Sequence, residues 1–540
     1  MGLTTVLGAG GGTISYEDFH KTDFILLVGA NVAEAHPVIF HHVMKGVHRG
    51  ALLVVVDPRK NLTTRRAHEH LALRVGSDIA LLNAMGHVII RDGLYRKAFI
   101  DRATTGFDDY RHSVSAWSPQ RAEAITGIPA DQIKAVAREF AQAGRAIIGW
   151  TLGITEHHNA VDNVYALVNL ALLTGNVGRP GTGLSPFRGQ NNVQGGGDMG
   201  ALPNRLPGFQ DLKDAEVRKK FEQAWGTSID ARPGLDQSQM FEAMNQKTLT
   251  GLYVIGENPV QSEANSNHVK KLFKDLDALI VQDIFLTPTA EMADVVLPAR
   301  VSFAESDGTF TNSERRVQRV RAARKAPGEA QDDIWIITQL ARAMGHPWPL
   351  LTAVEVFDEM RRLSPNFAGM TYDRIDREGG LQWPCPDENH RGAVRLHERL
   401  WQDSVGPLAP FIPVEWEPPA EPTTPEFPFT LTTGRRLAFY NTGVQTQHYP
   451  HPDQTGEHLD INPSDAASLH LDDGQWVRIR SRRGSVVVPV HLTGSVNPGT
   501  VFLSFHFSSE VPTNVLAIDA TDPVAGTAEF KAAAVAIEMA

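Results

Sequence analysis

Arg188 is the residue from which a chemistry can first be argued. It is followed closely by Gln190, Asn191, Asn192 and Gln194. A guanidinium makes two parallel hydrogen bonds to a small planar carboxylate, and the amides after it add donors and acceptors. The surrounding stretch from Asn169 to Gly208, NLALLTGNVGRPGTGLSPFRGQNNVQGGGDMGALPNRLPG, opens as an apolar helix face, breaks at Gly175, and then places Gly and Pro too often for regular structure. It reads as a long functional loop whose bare backbone can approach a bound group. On residue types alone, an arginine that merely pins loop carbonyls competes with the substrate reading.

A second group has the chemistry of a nucleotide site. Asn31 and Glu34 follow the run FILLVGA, and Asp57 and Arg59 close ALLVVVD. A carboxylate there suits ribose hydroxyls or a base edge, and an arginine suits phosphate. Both runs are continuously apolar, as strands of a parallel sheet buried on both faces must be. Gly153, after the run AIIGW, permits close approach to a ligand. Gly8, Gly10, Gly11 and Gly12 follow no buried strand, so they do not read as a nicotinamide fingerprint. His157 and His158 are adjacent rather than i, i+4, and read as polar or packing residues.

The same grammar returns in TGLYVIGENP and ALIVQDIFLTPTA, which predicts a second nucleotide-binding sheet. ADVVLP, ending at Pro298, reads as a further buried strand, and ERRVQRVR, from Glu314 to Arg321, as a solvated basic face. Residues 407–428, rich in proline and acids, read as a linker. Beyond them, alternating runs turned at Gly474, Gly484 and Gly499 predict an all-β closing domain.

A length of 540 residues implies several domains, and 42% hydrophobic content is ordinary for a globular chain. The net charge of −11 argues against a nucleic-acid partner. Cys385 is the single cysteine, which excludes an internal disulfide framework and any cysteine-ligated iron–sulfur cluster built from these residues alone. No stretch approaches the roughly 20 apolar residues of a membrane span, and MGLTTVLGAGGG has no secretory signal pattern. The expected location is cytoplasmic.

The motifs RGQNNVQG and DMGALPN, with LLTGN and GRPGTG before them, resemble the active-site loop of molybdenum- or tungsten-dependent formate dehydrogenases. That family holds its metal between two pyranopterin guanine dinucleotides. The resemblance continues through GANVAEAHPVI, VDPRK, GSDIALLNAMGHVII, IGENP, QDIFLTPTAEMADVVLP, DGTFTNSERRVQR and QWPCPDE. It implies an α/β fold of two Rossmann-like domains, each binding one pterin dinucleotide, and a C-terminal six-stranded β-barrel of the double-psi type. The corresponding ranges are 1–190 and 191–345 for the two α/β domains, 346–426 for a helical and irregular segment with the linker, and 427–540 for the barrel.

The implied activity is oxidation of formate to CO2, or the reverse, with Arg188 and Gln190 at the substrate. The implied cofactor contacts are Asn31, Glu34, Asp57, Arg59, Gly76, Asp78 and Gly153 on one side, Asp283 and Thr287 on the other, and Arg435, Asn514 and Lys531 from the barrel. Two positions depart from the family: Glu156 stands where Gln is usual, and Phe439 where some relatives carry His. Family members also have an N-terminal domain whose four cysteines hold a [4Fe–4S] cluster, then a Cys or selenocysteine that ligates the metal. MGLTTVLG resembles the segment just downstream of that ligand. Three explanations are open: a separate chain supplies cluster and ligand, with iron–sulfur or NAD-linked diaphorase subunits beyond it; the chain is truncated or mis-started; or it has lost catalysis. No residue here is expected to ligate the metal. An unusually large apolar or cleft-lining surface is expected near Met1 to Gly12, exposing the metal side of the pterin site. A non-catalytic scaffold of the same fold and a related molybdenum reductase acting on nitrate are the competing readings.

Overall fold

Unbroken apolar runs alternating with helices produce a fully parallel sheet near the start of the chain. The computed structural model describes residues 1–402, 406–437, 439–444 and 456–540. Strands β1 (Phe24–Val28), β2 (Leu52–Val56), β3 (Glu69–Leu71), β4 (Ala146–Trp150) and β5 (Gly183–Pro186) lie in the order β3-β2-β1-β4-β5. Every neighbouring pair is parallel. All residues of β1 and β4 are buried, as a sheet covered by helices on both faces requires. Helices Asp78–Arg91 and Ala160–Leu173 bury most of their length. Helix Gly2–Leu7 buries Leu3, Val6 and Leu7, so the apolar surface expected near Met1 to Gly12 is reduced to exposed Met1.

The chain divides into two compact units. The first comprises Met1–Phe187, Gln261–Asn267 and Arg395–Ala540, and the second Arg188–Val260 and His268–Val394. The stretch expected to be one long loop is more ordered than its composition suggests. Helix Ala160–Leu173 ends just before Gly175, where the apolar helix face was expected to break, but beyond it β5 crosses the stretch and helix Val193–Asp198 follows Asn192, whose φ is 62°. Left-handed turns at Gly175, Gly178 and Gly181 reverse the chain between helix and strand.

In the second unit, β6 (Gly251–Ile255), β7 (Ala278–Asp283) and β8 (Val295–Pro298) form a parallel sheet in the order β8-β7-β6. The apolar run of β8 does not make it the buried strand expected. It lies at the sheet edge, with Val295 and Val296 exposed. Strands β9 (Gly308–Thr311), β10 (Arg316–Val320) and β11 (Leu381–Gln382) form an antiparallel sheet. The segment expected as a solvated basic face is therefore β10 and its entry. Arg315 there is fully buried and donates to the carbonyls of Trp383 and Ala393.

The closing domain of the first unit is a closed six-stranded barrel. Its strands are β12 (Phe429–Gly434), β13 (Leu459–Ile461), β14 (Trp476–Arg480), β15 (Ser485–Leu492), β16 (Thr500–Ser504) and β17 (Ala533–Met539). They close in the order β12-β16-β13-β15-β14-β17. Strands β14 and β15 alternate exposed and buried residues, the period-two pattern that pointed to them in the sequence. The expected linker is not free: Ala409–Pro410 pairs in parallel with Thr104–Thr105, and Phe411 and Val414 are buried. Asn83 Nδ2 donates to the Val414 carbonyl at 2.9 Å, and Asn169 bonds both the carbonyl and the N–H of Ile412, at 2.7 and 3.1 Å. Prolines break this segment's own ladder, and buried asparagines satisfy its backbone instead.

Candidate functional site

In an open parallel sheet, loops at the strand carboxyl ends carry the ligand. Asp57 follows β2 and is buried; its Oδ1 accepts from the Arg59 N–H at 2.9 Å and its Oδ2 from Asn61 Nδ2 at 3.1 Å. Burial raises the Asp57 pKa, opposed by the Arg59 charge. The Arg59 guanidinium lies 3.5 Å from the centroid of the Phe502 ring in β16, and its backbone bridges to Val496. The loop after β2 is thereby joined to the barrel.

Asn31 precedes helix Val32–Ala35. Its Oδ1 accepts from Thr63 Oγ1 at 3.0 Å, whereas its buried Nδ2 has no hydrogen-bond partner among the described residues. Glu34 Oε1 accepts from the Leu62 N–H at 3.4 Å. The structure thus gathers Asn31, Glu34, Asp57 and Arg59 with two residues the sequence did not single out, Asn61 and Thr63. An Asn four residues after Asp57 is common enough to carry no signal.

Gly76 adopts φ 76°, and its carbonyl accepts from Trp416 Nε1 at 2.9 Å. Asp78 opens its helix; it is buried, and burial pushes its pKa up to about 6. At Gly153 the close approach is to the chain itself. Its N–H donates to the Gly29 carbonyl at 3.2 Å, and a Cβ at Gly153 would lie 2.6 Å from Gly29 Cα.

On the barrel side, Arg435 Nε donates to the Phe439 carbonyl at 3.1 Å. Asn514 Nδ2 donates to the carbonyls of Gln261 and Ser262 at 3.1 and 2.8 Å, while its buried Oδ1 has no partner among the described residues. Lys531 Nζ lies 2.6 Å from Glu156 Oε2 and donates to the Thr433 carbonyl at 3.2 Å. The carboxylate at position 156 therefore acts as a counter-charge to Lys531. The Nδ1 atoms of His157 and His158 each lie 3.1 Å from Glu529 Oε1. Burial acts to raise the Glu529 carboxyl, but the bonds from both histidines outweigh it and hold it at about 2.

In the second unit, Arg188 is held by a chain of side chains. Its backbone N–H donates to Ser313 Oγ at 2.9 Å, and its Nε and Nη2 donate to Gln194 Oε1 at 3.1 and 2.9 Å. Gln194 Nε2 donates to Asp198 Oδ1 at 2.9 Å, and Trp383 Nε1 to Asp198 Oδ2 at 2.8 Å. Gln194 and Asp198 share one face of their short helix at i, i+4 spacing. Burial lowers the Arg188 pKa and raises that of Asp198 to about 6. Asp198, Ser313 and Trp383 lie in the motifs DMGALPN, DGTFTNSERRVQR and QWPCPDE, but the sequence gives none of them a role of its own, since Trp383 lies 185 residues from Asp198.

Gln190 is exposed two residues beyond Arg188. Asp283 ends β7, and its Oδ1 accepts from the N–H groups of Ile284 and Phe285 at 2.6 and 3.1 Å. Burial raises its pKa. Thr287, on the same loop, is buried and accepts from the Ala290 N–H at 3.1 Å.

Comparison with known proteins adds to this geometry. Residues 8–343 match the family described as Molybdopterin oxidoreductase, and residues 429–534 match the Molydopterin dinucleotide binding domain. The F420-dependent formate dehydrogenase subunit alpha of Methanocaldococcus jannaschii is 41% identical over 99% of this chain and 79% of its own. Formate dehydrogenase H of Escherichia coli is 38% identical over 99% of this chain and 76% of its own. Among solved structures, acetylene hydratase from Pelobacter acetylenicus is similar in fold, with a TM-score of 0.75 at 19% identity, covering 100% of this chain and 80% of that one.

Proposed function

Because this chain belongs to the molybdopterin oxidoreductases, a family of oxidoreductase enzymes, we propose that it oxidises formate to CO2, or catalyses the reverse. On this reading it works at molybdenum or tungsten held by two pyranopterin guanine dinucleotides. Two buried amide atoms fit such a ligand. Among the described residues, Asn31 Nδ2 is a donor without a partner and Asn514 Oδ1 an acceptor without one, and buried polar groups of this kind require partners. Arg59, Arg435 and Lys531 would meet phosphates, and Asp57 and Asp283 ribose or guanine donors. Asn31, Glu34, Asp57, Arg59, Gly76, Asp78 and Gly153 would hold one dinucleotide, and Asp283 and Thr287 the other, with Arg435, Asn514 and Lys531 completing the set from the barrel. The bound group supplies the metal that takes the two electrons of formate. The four-part division of the chain at about residues 190, 345 and 426 follows the same reading.

Formate spreads one charge over two oxygens, and a guanidinium holds both so that the C–H bond has a defined direction. The observation that carries the proposal is the chain Arg188–Gln194–Asp198–Trp383, buried from Gln194 onward, which holds the half-buried guanidinium by two of its nitrogens. Gln190, exposed beside it, would contribute an amide to the substrate. Cys385 Sγ lies 3.4 Å from the His390 carbonyl and 3.7 Å from that of Asp387, so the chain's one thiol is committed to backbone. The [4Fe–4S] cluster and the Cys or selenocysteine metal ligand then come from polypeptide outside these residues, a separate chain in our proposal. Iron–sulfur or NAD-linked subunits pass the electrons on.

The test is Arg188→Lys in the assembled complex, with molybdenum, pterin and formate turnover measured on one preparation. Lysine keeps the charge and loses the fork. A charged hydrogen bond lost costs about 1.5–3 kcal/mol, or about 10- to 150-fold in formate kcat/KM. Metal and pterin content should match wild type. Full activity, or a loss only in proportion to lost metal, would make Arg188 a structural residue.

A further inference from the structure

One surface of the barrel gathers three metal-ligating side chains. Residues two apart on a strand share a face, so His458, at the entry to β13, and Asp460 within it point the same way. Strand β15 runs parallel beside β13 with His491 as the register partner of Asp460. His491 Nδ1 lies 2.8 Å and His458 Nε2 3.4 Å from the same oxygen, Asp460 Oδ1. The three ligand atoms all fall within 4.8 Å of one another, the one such His, Asp, Glu or Cys group among the described residues. Tetrahedral bonds of about 2.0–2.2 Å place neighbouring ligand atoms roughly 3.3 Å apart, so an ion would ask only small side-chain movements of this set.

The second carboxylate oxygen is engaged from behind. Asp460 Oδ2 accepts from Arg436 Nη1 at 3.0 Å, and Arg436 is itself bonded to the His458 carbonyl at 2.7 Å and to Glu457 Oε1 at 3.2 Å. A hydrogen bond of this kind orients a ligating carboxylate, and here it leaves Oδ1 facing both imidazoles. Asp460 is buried, whereas half of the His491 side chain is exposed. The carboxylate therefore forms the base of the site, and the imidazole on β15 lies at its mouth.

We propose that His458 Nε2, Asp460 Oδ1 and His491 Nδ1 bind a divalent cation of the zinc class, with water at the fourth position. Two imidazole nitrogens with one carboxylate favour zinc, nickel or copper over magnesium and calcium, which take oxygen ligands. The ion would clamp β13 to β15 on the barrel wall.

The experiment uses the full chain, stripped by a chelator and titrated with ZnCl2 by calorimetry and with CoCl2 by absorbance. The expected result is one equivalent bound, with the intense visible bands of tetrahedral cobalt. His491→Ala removes a half-exposed side chain and should leave the fold intact by circular dichroism. It should weaken zinc binding by more than the roughly 10- to 100-fold lost when a group behind a ligand is removed. Asp460→Asn should do the same, and if that variant does not fold, His491→Ala alone decides. The chain has 21 histidines, so equal affinity and stoichiometry in His491→Ala would place binding elsewhere and overturn the proposal. Absence of stoichiometric binding by the wild-type chain would also overturn it.

Discussion

Asp198 is the residue through which pH reaches the Arg188 network. Burial lifts its pKa to about 6, above the roughly 3.9 of an exposed aspartate. Folding therefore favours its protonated form. The stability this contributes is fully present below about pH 4 and is lost as pH rises through about 6, because the folded chain binds the extra proton over that window. Two pH units correspond to about 3 kcal/mol. Asp198→Asn cannot titrate, so the stability of wild type relative to this variant should fall by about 2 kcal/mol between pH 4 and pH 7. Urea unfolding of both proteins across that range measures it, and a gap that stays constant with pH would remove Asp198 as the cause. The same burial explains why Arg188 needs Gln194: a desolvated guanidinium keeps its charge at a cost that hydrogen bonds offset.

Among elements, the segment over residues 407–416 shows how a proline-rich stretch becomes part of a core. Its backbone takes partners from Asn83 and Asn169 rather than from a ladder of its own. Asn169→Leu keeps the branched shape but leaves the N–H and carbonyl of Ile412 unpaired, at a cost of about 1–3 kcal/mol. The variant should unfold at lower urea, and limited proteolysis should cut near Ile412 earlier than in wild type. Unchanged cleavage and midpoint would show that Phe411 and Val414, by burial alone, hold the segment. Elsewhere, Gly153 and Gly29 allow two loop backbones to meet at the carboxyl ends of β4 and β1. A side chain at either position would force those loops apart.

For the whole molecule, ligand supply sets the limits. A [4Fe–4S] cluster needs about four cysteine ligands, and these 540 residues contain one. Anaerobic reconstitution of residues 1–540 alone with iron and sulfide should therefore leave no stoichiometric cluster, by iron and acid-labile sulfide analysis and by electron paramagnetic resonance. A cluster signal carried by the purified chain would overturn the view that this group comes from other polypeptide. Among the described residues, no helix is long and apolar enough to cross a membrane.

The sequence by itself determined the elements whose burial is written locally. Strands β1, β2 and β4 appear as unbroken apolar runs because helices cover both faces of their sheet, and β14 and β15 alternate because a barrel wall has one wet face. The dense glycine and proline before Arg188 likewise announce the left-handed turns at Gly175, Gly178 and Gly181. Only the tertiary structure decided which partners those elements meet. Nothing in ADVVLP distinguishes the edge strand β8 from a central one, because its apolar residues would suit either place. Nothing near Arg315 announces its burial, because the carbonyls that receive it belong to Trp383 and Ala393. Trp383 reaches Asp198, and Asn169 reaches Ile412, across 185 and 243 residues. Periodicity reports which way a side chain faces within its own element, whereas the partner it finds there is set by how distant segments pack.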